Sequence, residues 1–442
     1  MGPIGSPTPG DFYLYLLIDL VIIAALVWLC LGWRVGKGHL GEFDSTGDGS
    51  QPGGERYQRI PSRLFLRRTL GAIWILDGLL QAQPAMPEGF PTEVIAPAAV
   101  GQPQWLAALL HSEAFFWQAH PLDLAAATVL IQVGIGIAIM AGGESVLGRL
   151  GLWLSIGWGL TVWVGGEALG GVFGRGSSEI MGAPGAVLLY VVAAALLLTP
   201  TRLWLSGRVA LWIRRGAGAF FLLGALLESL PAEGFWTRHG LSSMFLEMAR
   251  LPQPSWLSTP ILTVARSAYA DPILLNSVFI VIMLALGLGL ISGRAQRTFT
   301  VAALIWLALT WWLGQDFGGL GTRVATDPEL SPLLAMLLIG AWIRVRPATA
   351  PHGSKKTAFL PKTLRRNLAL GGLAAIAVGI VPSLLGLPIA ASEAASQGTV
   401  ATSGSLSLSA SRPSLTHFAI VGKRAGVTIT SPPAAAALPH TR

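Results

Sequence analysis

The sequence predicts an all-α integral membrane fold of about ten transmembrane helices, and three observations predict it. Hydrophobic residues fill 52% of the 442 positions and charged residues 12%, with a mean hydropathy of +0.60. That balance is too apolar for a soluble domain of this size. The apolar residues are gathered into ten runs, at 12–33, 65–83, 123–141, 150–164, 184–198, 210–230, 272–291, 299–313, 333–342 and 368–391. Finally, one phrase of glycines and acids occurs twice. Runs shorter than the ~20 residues of a full span must be completed by semi-polar neighbours.

The repeated phrase is WVGGEALGGVFGRGSSEIMGAP at 163–184 and WLGQDFGGLGTRVATDPELSP at 312–332. With Leu169 as a single gap, Gly165 aligns with Gly314, Glu167 with Asp316, Gly170 and Gly171 with Gly318 and Gly319, Arg175 with Arg323, Glu179 with Asp327, and Pro184 with Pro332. Upstream, Arg67–Pro84 aligns without a gap to Arg214–Pro231, with eight of eighteen positions identical. Self-similarity of this kind predicts a tandem duplication, with one four-helix unit over 65–200 and a second over 201–346. Four spans per unit is an even number, so both units enter the membrane the same way up, as a parallel repeat.

Single helices flank the units. Residues 1–64 hold a first span, retained because no basic leader precedes it, and a basic linker. Residues 347–392 hold a second basic linker and the last span, which resembles an internal signal or anchor segment. Residues 393–442, rich in Ser, Thr, Ala and Pro, read as a disordered extracytoplasmic tail. Both outer loops carry a Pro-x-Trp-Leu phrase, at Pro103–Leu106 and Pro254–Leu257, suited to a segment lying at the outer leaflet.

The net charge of +8 invites a nucleic-acid partner, but the placement of the charges removes it. When loops are assigned alternately, 21 of the 30 Lys and Arg fall on one side, and the stretch 84–122 has none. This is the positive-inside asymmetry of a cell-membrane protein with both termini extracytoplasmic.

Cys30 is the sole cysteine, so no internal disulfide or dithiol chemistry is available to the chain alone. None of the seven histidines falls in an apolar run, which argues against an intramembrane bis-histidine haem. His239 with Met244 and Met248 offers soft ligands for copper at the outer face; an apolar methionine stripe on an amphipathic segment is the plainer reading. No GxGxxG, P-loop, HExxH or Ser/His/Asp arrangement occurs.

The polar residues near the outer helix ends carry the functional question. Asp77 lies seven residues before Pro84, about 10 Å down its helix, with Gln81 one turn above it on the same face. In the second unit Glu228 aligns with Gln81, while Gly224 replaces Asp77. Together with Glu167, Gln315 and Asp316 these residues form candidates for binding a proton, a small polar group or a quinone head group, since an ionisable group in hydrocarbon costs about 2–3 kcal/mol or more. The alternative is structural: each acid caps a helix or pairs with Arg175 or Arg323 to shape the loop around Gly170, Gly171, Gly318 and Gly319.

Four-span units with a polar residue near the outer end of the first helix and a glycine-rich acidic phrase after the third resemble the DoxX/DoxD-type superfamily, here fused in tandem. The resemblance implies a membrane component of a redox system, of the kind linked to quinone-dependent thiosulfate oxidation, docking an extracytoplasmic or membrane redox protein amid lipid. By that analogy Asp77, Gln81, Glu167, Glu228 and Asp316 are the site positions. A small-solute or proton-coupled transporter is the alternative, since parallel repeats and buried acids occur there too. A ligand-free scaffold is the third reading.

Overall fold

A computed structural model describes residues 8–36, 60–343, 361 and 363–379. The tail at 393–442, most of both basic linkers, the far end of the last run, and His39, His352, His417 and His440 lie outside the described residues. Cys30 lies in a stretch where the backbone alone is described.

All regular structure among the described residues is helical. Helix α1 is Pro9–Gly36 and α2 is Pro61–Gln81. An outer segment follows, in which short helical turns over Met86–Ala98 lead to α3, Gln104–Ala119. Then come α4 (Pro121–Gly142), α5 (Val146–Gly165) and α6 (Ala186–Leu198). Next, α7 is Arg208–Ser229, and the outer helices α8 and α9 are Arg238–Ala249 and Ser255–Ala270. The series closes with α10 (Pro272–Ser292), α11 (Gln296–Leu313) and α12 (Leu330–Trp342), then a helical stretch at 363–379, α13.

Sequence punctuation sets these bounds. Pro121 and Pro272 open α4 and α10, where a missing N–H costs nothing, and the side chain of Asp271 caps Leu274 N–H at 3.0 Å. Gly143 and Gly293 stop the same two helices with φ of +55° and +73°, a conformation that favours glycine.

Four helices, α4, α5, α7 and α10, are long and apolar enough to cross a membrane. The helices α6 and α12 have 13 residues each, about 20 Å of rise against a ~30 Å hydrocarbon core. The preceding glycine loops turn rather than extend these helices. Ten runs of sequence thus yield four helices of full spanning length and apolarity among the described residues.

Two helix pairs set the packing. Helix α2 lies along α4 and α7 lies along α10, and each pair crosses at glycines. A Cβ on Gly71 would stand 2.9 Å from the Gly136 carbonyl, and one on Gly218 would stand 2.8 Å from that of Gly287, so these backbones touch as small-residue crossings do. At the basic end Arg63 and Arg67 both pair with Glu144 at 3.0 Å, and Arg214 donates to Gln296 Oε1 at 2.8 Å. The first pairing ties the start of α2 to the turn after α4, and the second ties α7 to the first residue of α11. Helix α12 packs against α2, α6 and α7, and one continuous apolar core runs through this centre. A second core, around Met86, Phe90, Leu106, Leu110 and Trp117, lies under the outer segment.

Candidate functional site

After α5 and after α11 the backbone makes the same manoeuvre. Leu169 and Gly170 have φ/ψ of 58°/33° and 66°/25°, while Phe317 and Gly318 have 54°/31° and 75°/23°. Trp163 Nε1 donates to the Pro184 carbonyl and Trp311 Nε1 to that of Pro328, both at 2.8 Å. Glu167 Oε1 accepts Val187 N–H, and Gln315 Oε1 accepts Ser331 N–H, both at 3.1 Å. By geometry, therefore, Glu167 corresponds to Gln315, Gly166 to Gly314, and Pro184 to Pro328. This corrects the alignment of Glu167 with Asp316, of Gly165 with Gly314 and of Pro184 with Pro332; no gap falls at Leu169. Matching by charge had misled, because the role is filled by a side-chain oxygen, and carboxyl and amide both supply one.

The two loops then cross over. The first reaches into the bundle of the second half: Glu233 accepts Gly176 and Ser177 N–H at 2.8 and 2.9 Å, Ser178 Oγ bonds Glu228, Trp306 Nε1 donates to Glu179 Oε2 at 3.3 Å, and Gln315 Nε2 donates to the Ile180 carbonyl at 3.3 Å. Gly224 leaves room for this insertion, since a Cβ there would stand 2.8 Å from Glu179 Cβ. The second loop returns the contact. Gln83 Nε2 donates to the Ala325 carbonyl at 3.2 Å, Val324 packs with the outer-segment core, and Thr326 and Asp327 reach the end of α2.

There they close a cavity. Its walls are Trp74, Asp77 and Gln81 of α2, Phe90, Glu113 and Trp117 of the outer segment, Thr128 and Gln132 of α4, Trp158 of α5, Glu167 of the loop, and Asp327. Its volume is about 80 Å³, room for a handful of waters or a compact polar group at ~10–15 Å³ per water. The lining holds no Lys, Arg or His. Aromatic contacts stiffen the wall: Trp74 donates to Ser155 Oγ at 2.8 Å and meets Tyr190 edge-on at 4.6 Å, and Phe90 lies 4.4 Å from Trp117.

Four residues of this wall carry a buried polar atom with no partner: Asp77 Oδ1, Gln81 Oε1, Gln132 Oε1 and Trp158 Nε1. Asp77 and Gln81 are each 2% exposed. Buried polar atoms are nearly always paired, and these four gather around one cavity. The acids outside the helical spans are held toward neutrality. Burial pushes Glu113 up to about 7, and raises Glu167 well above the ordinary range, helped by the nearby Asp327. Asp327 and Glu329 are likewise raised by burial.

Of the residues expected from sequence, Asp77, Gln81 and Glu167 meet in this cavity, and Glu228 and Gln315 do not. Glu228 is fully buried in the second half, beside Glu179, whose carboxyl burial pushes up to about 7. Asp316 sits in the turn itself with φ of +41°, and burial raises it to about 6. Arg175 and Arg323 are exposed and form no ion pair with Glu167 or Asp316, while Gly170, Gly171, Gly318 and Gly319 all adopt positive φ. For copper, His239 is exposed and packs edge-on to Tyr269 at 5.5 Å, while Met244 is buried in the core and Met248 packs against it. No group of three His, Cys, Asp or Glu side chains is placed to hold a metal among the described residues. Sequence reading passed over Glu113, Gln132 and Trp158. A signal for the last existed, since Trp158 precedes Trp163 by the five residues that separate Trp306 from Trp311.

The chain matches no family model, no curated protein and no solved structure.

Proposed function

We propose that this chain is a redox-associated subunit of the cell membrane, DoxX-like in plan, with two parallel four-helix units and both termini outside. In this reading its first unit holds a small planar molecule with hydrogen-bonding oxygens, a quinone head group in the first instance, and its outer face meets a redox partner. The observation that carries the reading is the set of unpartnered atoms on Asp77, Gln81, Gln132 and Trp158 within a wall of three tryptophans and Phe90. Flat aromatic walls favour a flat guest. Carboxyls without a cation favour a neutral guest over an anion, and when protonated they donate to its oxygens.

Transport is the rival reading, and it calls for helices broken at mid-membrane. Around the cavity α2, α4 and α5 run unbroken, which favours a binding site over a passage. The test is purification in mild detergent, mass spectrometry of the co-purifying lipids, and titration with menadione against empty micelles. Asp77→Asn is expected to weaken menadione binding about tenfold, one hydrogen bond to a buried group. No co-purifying quinone together with menadione uptake equal to that of empty micelles would sink the reading.

A further inference from the structure

We infer that Trp158 is the hydrogen-bond donor to the guest of this cavity, and that the atom it meets is an uncharged carbonyl-type oxygen. The inference deepens the quinone-like reading and rests on it.

The second half contains the same tryptophan with its partner in place. Trp306 stands five residues before Trp311, as Trp158 does before Trp163. Both later tryptophans donate to a proline carbonyl at 2.8 Å, so α5 and α11 are in the same register. Trp306 Nε1 donates to Glu179 Oε2 at 3.3 Å, an oxygen delivered by the crossing loop. Trp158 lines the cavity, and its Nε1 is buried with no partner.

The loop that crosses the other way does not supply one. It brings Asp327, a methylene shorter than glutamate, whose oxygens are engaged by the Thr326 hydroxyl at 2.8 Å and by Glu329 N–H at 2.7 Å. Glu179 is thus a built-in stand-in, showing in one half what the other half lacks: an sp² oxygen at the indole N–H. Gln132, 5% exposed and unpartnered at Oε1, marks a second polar point on the same wall. A carboxylate guest would bring a negative charge into a buried wall that holds no cation to offset it, whereas a neutral carbonyl brings none.

The experiment is equilibrium binding of menadione and of methylnaphthalene, its ring system without oxygens, to the full chain in detergent, corrected for empty micelles. Wild type, Trp158→Phe, Trp306→Phe and Asp77→Asn are compared. Trp158→Phe is expected to bind menadione about tenfold more weakly and methylnaphthalene unchanged, while Trp306→Phe changes neither. Equal losses for both probes, or undiminished menadione binding in Trp158→Phe, overturn the donor assignment. In those cases weakened binding by Asp77→Asn keeps the quinone-like reading standing. Absence of menadione binding in wild type overturns both.

Discussion

Glu167 holds the first turn of α6 through the amide of Val187, at 3.1 Å. Gln315 does the same for Ser331 at the start of α12, so an uncharged side chain suffices for the task. Glu167→Gln is expected to leave thermal stability unchanged at neutral pH, where burial already disfavours the charged carboxylate. Glu167→Ala removes the cap and is expected to cost about 1–2 kcal/mol. Thermal unfolding of the purified protein, followed by circular dichroism, separates the two variants; equal losses would show that charge matters at this position.

Stability is expected to fall as pH rises. Burial lifts Glu113 and Glu179 from an ordinary 4.5 to about 7, so between those values the folded chain binds more protons than the unfolded one. The contribution is complete below about pH 4.5 and is lost as pH climbs through 7. The melting temperature should therefore be higher at about pH 5 than at about pH 8, with a shallower slope in Glu113→Gln/Glu179→Gln. A flat wild-type profile would refute this.

The glycine crossings distinguish contact from mere helix composition. A methyl at Gly136 would stand 2.5 Å from the Gly71 carbonyl, whereas one at Gly157 meets nothing within 4 Å. Gly136→Ala is expected to destabilise by about 1–3 kcal/mol through forced separation of α2 from α4. Gly157→Ala is expected to be neutral or mildly stabilising, in line with helix propensity. Melting temperatures of the two variants, measured side by side, check the contrast.

Orientation can be read chemically. With Cys30→Ser as background, cysteines at the exposed positions Arg175 and Arg323 should react with a membrane-impermeant maleimide on intact cells. A cysteine at Arg294, exposed in the turn between α10 and α11, should react after lysis alone. Opposite labelling of Arg175→Cys and Arg323→Cys would refute a parallel arrangement.

The helices were legible in the sequence because apolar runs bounded by Pro121, Pro272, Gly143 and Gly293 carry their own stop and start signals. Asp77 and Gln81 were legible because charge and amide are conspicuous within an apolar run. The crossing of the loops was not. Contacts such as Gln315 with Ile180 or Gln83 with Ala325 join residues far apart in the chain and follow no period, so no local pattern announces them. The true partner of Glu167 was hidden for a different reason, since the backbone selects an acceptor oxygen and is indifferent to its charge. Glu113 escaped notice because its helix reads as an outer-leaflet segment, and only packing turns that side chain toward Gly165.

The mutual lending of loops also bears on how the chain can be divided. A fragment ending near residue 205 would keep most of the cavity wall but lose Thr326 and Asp327 from it. The complementary fragment would leave Trp306, Gln315 and Glu228 without the groups that satisfy them. Each half completes the other, and cutting the chain between them is expected to destabilise both pieces.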